Sequence, residues 1–154
     1  MNPAVPLQVE VVTAVTAELV EAFVRLMPQL AANPTPLGAA ELKEIITTPR
    51  TVMLVARITA GGPIVGTATL VVFRIPSGLR ARLESLVVDA AARGHGVGEA
   101  LCRAVLDHAR AAGAGTVDLT CVPARAAANR LYQRLGFQRR ETNVYRLTFS
   151  RRPR

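Results

Sequence analysis

Residues 83–106, LESLVVDAAARGHGVGEALCRAVL, run from an apolar stretch through a glycine-spaced loop into an amphipathic repeat, and few folds accept that order. Leu83 to Val88 has the composition of a buried strand, and after the loop apolar residues recur at helical spacing. Between them lie Gly94, Gly96 and Gly98. Glycine has no Cβ, so its amide can approach an anion closely. A helix that starts in such a loop turns unpaired N–H groups and the positive end of its dipole toward the same point. Arg93 adds a full positive charge at the mouth of the loop. The predicted device is a strand, an anion cradle and a helix, suited to a ligand with a diphosphate.

Two familiar glycine loops do not match the spacing. A Walker loop needs GxxxxGK followed by Ser or Thr, and the chain's single lysine, Lys43, is far away. A dinucleotide fingerprint needs GxGxxG directly after a strand, with an acidic residue closing the next strand about 20 residues on. Here the spacing is GxGxG, a turn intervenes, and the nearest acidic residue, Asp118, falls inside TVDLTCV rather than at its end.

The run Arg93, Gly94, His95, Gly96, Val97, Gly98 resembles the acetyl-CoA loop of the GCN5-related N-acetyltransferases (GNAT family), whose pattern is Arg or Gln, x, x, Gly, x, Gly or Ala. The preceding LESLVVD and the later ANRLYQRLGF, residues 128–137, are similar to that family in the same order. The resemblance covers residues 83–147 and fades in the first 80. It implies an α/β (α+β) chain with a mixed, mostly antiparallel central sheet flanked by helices on both faces, the acyl-CoA N-acyltransferase fold. It also implies acetyl-CoA as cofactor and a primary amine, on a small molecule or a protein, as acceptor.

Length and charge agree with that expectation. A chain of 154 residues suits one domain with one core, here 1–154 with a basic tail at 150–154. No apolar run approaches the roughly 20 residues of a membrane span, and the first 13 residues lack a signal-like block, so a cytoplasmic protein without a membrane partner is expected. Cys102 and Cys121 match no metal or redox spacing, and no metal is expected. Net charge is +8, divided as −1 over residues 1–70 and +9 over 71–154, so the positive half contains the loop. Such a field suits polyanionic coenzyme A. A basic nucleic-acid adaptor would share it, but with 4% aromatics and no basic helix or stacking platform nucleic acid is not the expected partner. Oligomeric state stays open, a homodimer included.

Along the chain, residues 6–13 alternate as a first strand. Residues 16–27 carry Leu19, Val20, Phe23, Val24 and Met27 at helical spacing behind a Thr16 cap, and the prolines of 28–38 are expected to end that helix. A second helix follows at 39–47. Runs at 50–58 and 64–74 are joined by the hairpin signal AGGP, and PSG leads into Leu83. The remainder reads helix 97–112, strand 116–122, helix 125–135 and strand 143–149. Hairpins followed by crossovers give the mixed sheet.

Carried over residue by residue, the resemblance implies that the backbone of Leu86, Val87 and Val88 pairs with the pantetheine arm. The amides from Gly94 to Glu99 (Gly94, His95, Gly96, Val97, Gly98, Glu99) would take the diphosphate. Tyr132 occupies the position whose phenol protonates the leaving thiolate, and a group of pKa near 10 is matched to a thiol. Seven residues earlier the family often has an asparagine that bonds the cofactor; this chain has Arg125 there, with Asn129 one helical turn before Tyr132, so either can serve. Glu84 resembles the glutamate that takes the amine's proton directly or through water, with Asp118 in reserve. Period-two alternation places Glu84, Leu86 and Val88 on one face and leaves Glu84 either lining the cleft or paired with Arg80 or Arg82. His95 and His108 are expected to be solvated. Three alternatives remain: an acyl-CoA sensor that releases no thiol, the nucleic-acid adaptor, and a nucleotide-cofactor oxidoreductase that binds nicotinamide at the same loop.

Overall fold

Small and β-branched residues in the middle of the chain build a five-stranded sheet in which every strand lies beside its predecessor. The computed structural model describes residues 7–150; Pro6, where the first strand was expected to start, and residues 151–154 of the basic tail lie outside the described residues. The strands are Gln8–Val11 (β1), Thr51–Arg57 (β2), Gly66–Ile75 (β3), Gly78–Val88 (β4) and Thr116–Asp118 (β5). The first four pair antiparallel, and β5 joins β4 in parallel after a helical crossover. The mixed, mostly antiparallel sheet expected from the sequence is the one observed. The chain divides into two units, Met1–Thr120 and Cys121–Arg154.

In the first unit, Ala17–Leu30 forms α1, Ala39–Thr47 forms α2 and Val97–Ala111 forms α3. Thr16 caps α1 by accepting the Leu19 N–H at 3.1 Å. The α1 stripe Leu19, Ala22, Phe23 and Leu26 packs with Leu42 of α2, Met53 and Val55 of β2, and Val87 of β4. Each large side chain so buried contributes about 1.5–3 kcal/mol. On the other face α3 buries Val97, Leu101, Cys102, Val105 and Ala109. It comes so close to β3 that a Cβ on Gly66 would meet Val97 Cγ1 at 3.0 Å and Leu101 Cδ1 at 3.1 Å. Gly66 pairs with Ala56, which fixes that face as the one opposite Met53 and Val55. Helices therefore cover both sides of the sheet.

Four expected boundaries are corrected. Helix α1 runs through Pro28 to Leu30. Pro28 sits in the last turn, where its missing N–H deprives only the carbonyl of the exposed Val24, which water can serve. Strand β4 begins at Gly78 rather than Leu83, because Ile75 pairs with Gly78 across a tight Pro76–Ser77 turn. Strand β5 stops at Asp118 instead of Val122, since its pairing with β4 ends at Arg82 and Asp118. The strand expected at 143–149 is not formed: its alternation is present, but the segment has no ladder partner among the described residues, and Val144, Tyr145, Leu147 and Phe149 are 73–88% exposed.

The second unit is organised by Ala126–Arg134 (α4). Gly136, at φ +97°, ends it with two reverse bonds, Gly136 N–H to the Gln133 carbonyl and Phe137 N–H to the Tyr132 carbonyl. That is a Schellman closure, in which glycine takes the left-handed position and the next residue folds back on the helix.

Candidate active site

The early end of β5 opens a slot. Strand β4 continues six residues past Arg82, its last residue paired with β5, so the β5-side edge of residues 83–88 has no strand neighbour among the described residues. Within the same stretch Glu84 pairs with Thr69 and Val87 with Thr67, leaving Ser85 and Leu86 opposite Ala68. This is a β-bulge, and Ser85 adopts φ +53°, a left-handed conformation uncommon outside glycine. The bulge overturns the period-two expectation: Glu84 shares its face with Arg82 and Val87, while Val88, opposite Gly66, lies on the other. Ser85 carries no sequence signal beyond being the one small polar residue in an apolar run.

Beyond Val88 the chain makes a turn of 3₁₀ helix, Ala90–Ala92, and enters the glycine loop. Gly94 and Gly96 both have positive φ, +81° and +78°, and Gly96 is the N-cap of α3. Neither is there for lack of room, since a Cβ on Gly94 would touch nothing and one on Gly96 only Leu7 Cδ1 at 3.7 Å. The glycines are required by the backbone direction, which leads into the first turn of α3 where Val97 and Gly98 have no intrahelical carbonyl to serve. The His95 ring folds back, its Nδ1 3.1 Å from the carbonyls of both Ala92 and Arg93, and acts as a brace for the loop. Arg93 is exposed beside it. The Glu99 carboxylate is drawn to Arg103 one turn on, at 2.8 Å. Positive φ at two glycines, a helix N-terminus and an open strand edge leading to them fit a diphosphate with an extended arm.

The charged candidates of the first unit share a face. Arg82 lies opposite Asp118 in the β4–β5 register and bonds Glu84 Oε1 at 2.9 Å. Glu84 is thus the paired carboxylate, with a side chain 46% exposed, and Asp118 is exposed next to it. Their face is the one covered by α1 and α2, because Thr67 and Thr69 share it with Val55 and Met53.

In the second unit Tyr132 is buried and meets the Phe137 ring edge-on, with centroids 5.8 Å apart. Phe137 is the residue folded back by the Gly136 closure, so the helix end itself orients the phenol. Asn129 donates from Nδ2 to the carbonyls of Val122 at 3.0 Å and Arg125 at 2.9 Å. It closes the turn before α4 through Nδ2. Arg125, the N-cap of α4, makes no side-chain capping bond. His108 lies half-buried in the last turn of α3.

Comparisons with known proteins agree with this geometry. The sequence profile described as "Acetyltransferase (GNAT) family" matches residues 17–137. Glucosamine 6-phosphate N-acetyltransferase 1 of rice, Oryza sativa subsp. japonica, is 33% identical over 115 residues, which span 70% of this chain and 69% of the relative. Among solved structures, an acetyltransferase of Trypanosoma brucei superposes with a TM-score of 0.73 at 26% identity, over 94% of this chain and all of that one. The fold of AAC(6')-Iy, solved with the bisubstrate analogue CoA-S-monomethyl-acetylneamine, matches with a TM-score of 0.73 at 20% identity, over 94% of this chain and 99% of that one. Open strand edge, glycine loop, helix start and matched profile together place this chain in the GNAT family of N-acetyltransferases.

Proposed function

We propose that the chain transfers an acetyl group from acetyl-CoA to a primary amine by direct attack, with both substrates bound together. One observation carries the reading: the edge of β4 that has no strand neighbour among the described residues leads, through one 3₁₀ turn, into Gly94, Gly96 and the N-terminus of α3. The amides from Gly94 to Glu99 hold the diphosphate, with Arg93 at the mouth, and the backbone of Leu86, Val87 and Val88 aligns the pantetheine arm. Bound acetyl-CoA supplies a thioester already activated for acyl transfer, so holding the amine beside it accounts for much of the rate. Glu84 takes the proton lost by the attacking amine; Arg82 occupies its Oε1 and leaves Oε2 for the task. Asp118 is the reserve base on the same face. Tyr132 donates a proton to the departing thiolate, and Asn129 Oδ1 or the Arg125 guanidinium meets the cofactor. No helix among the described residues is long and apolar enough to cross a membrane, and a small-molecule amine is the acceptor we favour.

The rice relative is named for an amino sugar, glucosamine 6-phosphate, and AAC(6')-Iy is solved in complex with CoA-S-monomethyl-acetylneamine. A panel of amines led by amino sugars, with free thiol measured after addition of acetyl-CoA, tests the reading. Thiol release with at least one amine is expected. Tight acetyl-CoA binding with no release from any amine would instead identify a sensor.

A further inference from the structure

We propose that Arg25 and Gln29, side by side one turn apart on α1, are positioning residues for the diphosphate loop, a role that rests on the reading of that loop as the coenzyme A site. The Arg25 guanidinium bonds Asp89 Oδ2 at 2.9 Å and also donates to the Ile64 carbonyl. Gln29 Oε1 accepts the Ala90 N–H at 2.8 Å, while its amide nitrogen donates back to the Arg25 carbonyl at 3.2 Å. Asp89 is held again by its own N–H to the Val65 carbonyl at 2.8 Å, and its Oδ1 accepts the Ala91 N–H at 3.2 Å. The end of β4 and the first peptide of the 3₁₀ turn that leads into the loop are therefore fixed from α1 and from the residues before β3 at once. None of these groups is in the glycine motif, and Arg25 is 64 residues from Asp89.

The consequence is preorganisation. A loop whose start is fixed loses little freedom when a ligand arrives, so less of the gross interaction is spent on ordering it. The effect belongs to cofactor binding rather than to proton transfer, which gives it a kinetic signature. Helix α1 also belongs to the layer on the face of Glu84 and Asp118, so the same two side chains link that layer to the grip on the cofactor.

The test is calorimetry with coenzyme A together with steady-state thiol release, on the wild type, Arg25→Met, Arg25→Lys and Gln29→Leu. Methionine keeps the apolar stem of Arg25 and removes its donors. Coenzyme A should bind the Met variant about tenfold more weakly, the scale of one lost charged hydrogen bond. Gln29→Leu, a milder change on a half-buried residue, should weaken binding about threefold. In both, kcat at saturating acetyl-CoA and the KM of the acceptor should stay within about twofold of wild type, and Arg25→Lys should recover part of the lost affinity. Unchanged affinity in both the Met and Leu variants, with the wild type binding, overturns the positioning role alone. A fall in kcat that matches the fall in affinity marks general damage and overturns it too. A wild type that binds no coenzyme A overturns both this role and the assignment of the loop.

Discussion

Tyr132 illustrates how one side chain is prepared by its neighbours. The Gly136 closure folds Phe137 back on the helix end, and the edge-on ring contact fixes the tyrosine in turn. Replacing Tyr132 with Phe keeps that contact and removes the hydroxyl proposed to protonate the thiolate, so turnover should fall by about 10²-fold, within the range of general acid catalysis, while coenzyme A affinity is nearly unchanged. Equal turnover in the variant would remove Tyr132 from the mechanism. The cysteines give a second residue-scale test. Burial, aided by the nearby Glu99 charge, pushes the Cys102 thiol up to about 12, whereas Cys121 is only half-buried. Iodoacetamide at about pH 8 should therefore label one cysteine in the native protein, Cys121, and the second only after denaturation. Two labels on native protein would show that α3 opens readily.

At the scale of elements, two glycines act for opposite reasons. Gly96 is needed for conformation, since its φ of +78° is costly for an L side chain although space is open. Gly96→Ala should cost about 1–2 kcal/mol in denaturant unfolding and weaken coenzyme A binding as the loop shifts. Gly66 is needed for space. Its φ is ordinary, but a Cβ would press on Val97 and Leu101 of α3 and lie 3.2 Å from the Val87 carbonyl. Gly66→Ala should cost about 1–3 kcal/mol by overpacking, with part of the strain passed to β4 beside the slot. The bulge at Ser85 belongs to the same scale. It breaks the two-residue period within the strand that lines the slot, which is why Glu84 and Val88 face opposite ways. The glycine spacing, the start of α3 and the α1 stripe were legible because each depends on residues a few positions apart. The bulge was not, because it is a relation between β4 and β3.

For the whole molecule, the ion pairs that tie distant segments set the response to acid. The Ala91 N–H, followed by Arg25 and Gln29, holds the Asp89 carboxyl below the usual carboxylate range, and Arg57 does the same for Glu18. Arg57, raised in turn by Glu18 and then Glu10, links β2 to α1 and β1. Both carboxyls bind a proton more weakly folded than unfolded. Their contribution is thus complete above the ordinary carboxylate pKa and is lost as pH falls through the lower folded value. The thermal midpoint should stay nearly flat from about pH 7 to 5 and fall below about pH 4, and Asp89→Asn should make that fall shallower. An unchanged acid limb in the variant would remove Asp89 as a contributor. By itself the sequence determined the order of elements as far as α4, the glycine loop before α3, the mixed sheet and the family, because strand and helix periods and glycine geometry are local properties. Only the tertiary structure decided that β5 ends at Asp118 and opens the slot, that Arg82 pairs with Glu84, that residues 143–149 form no strand, and that Arg25 reaches Asp89. Pairing of strands and of charges depends on which distant segments meet, and neither periodicity nor composition encodes that meeting.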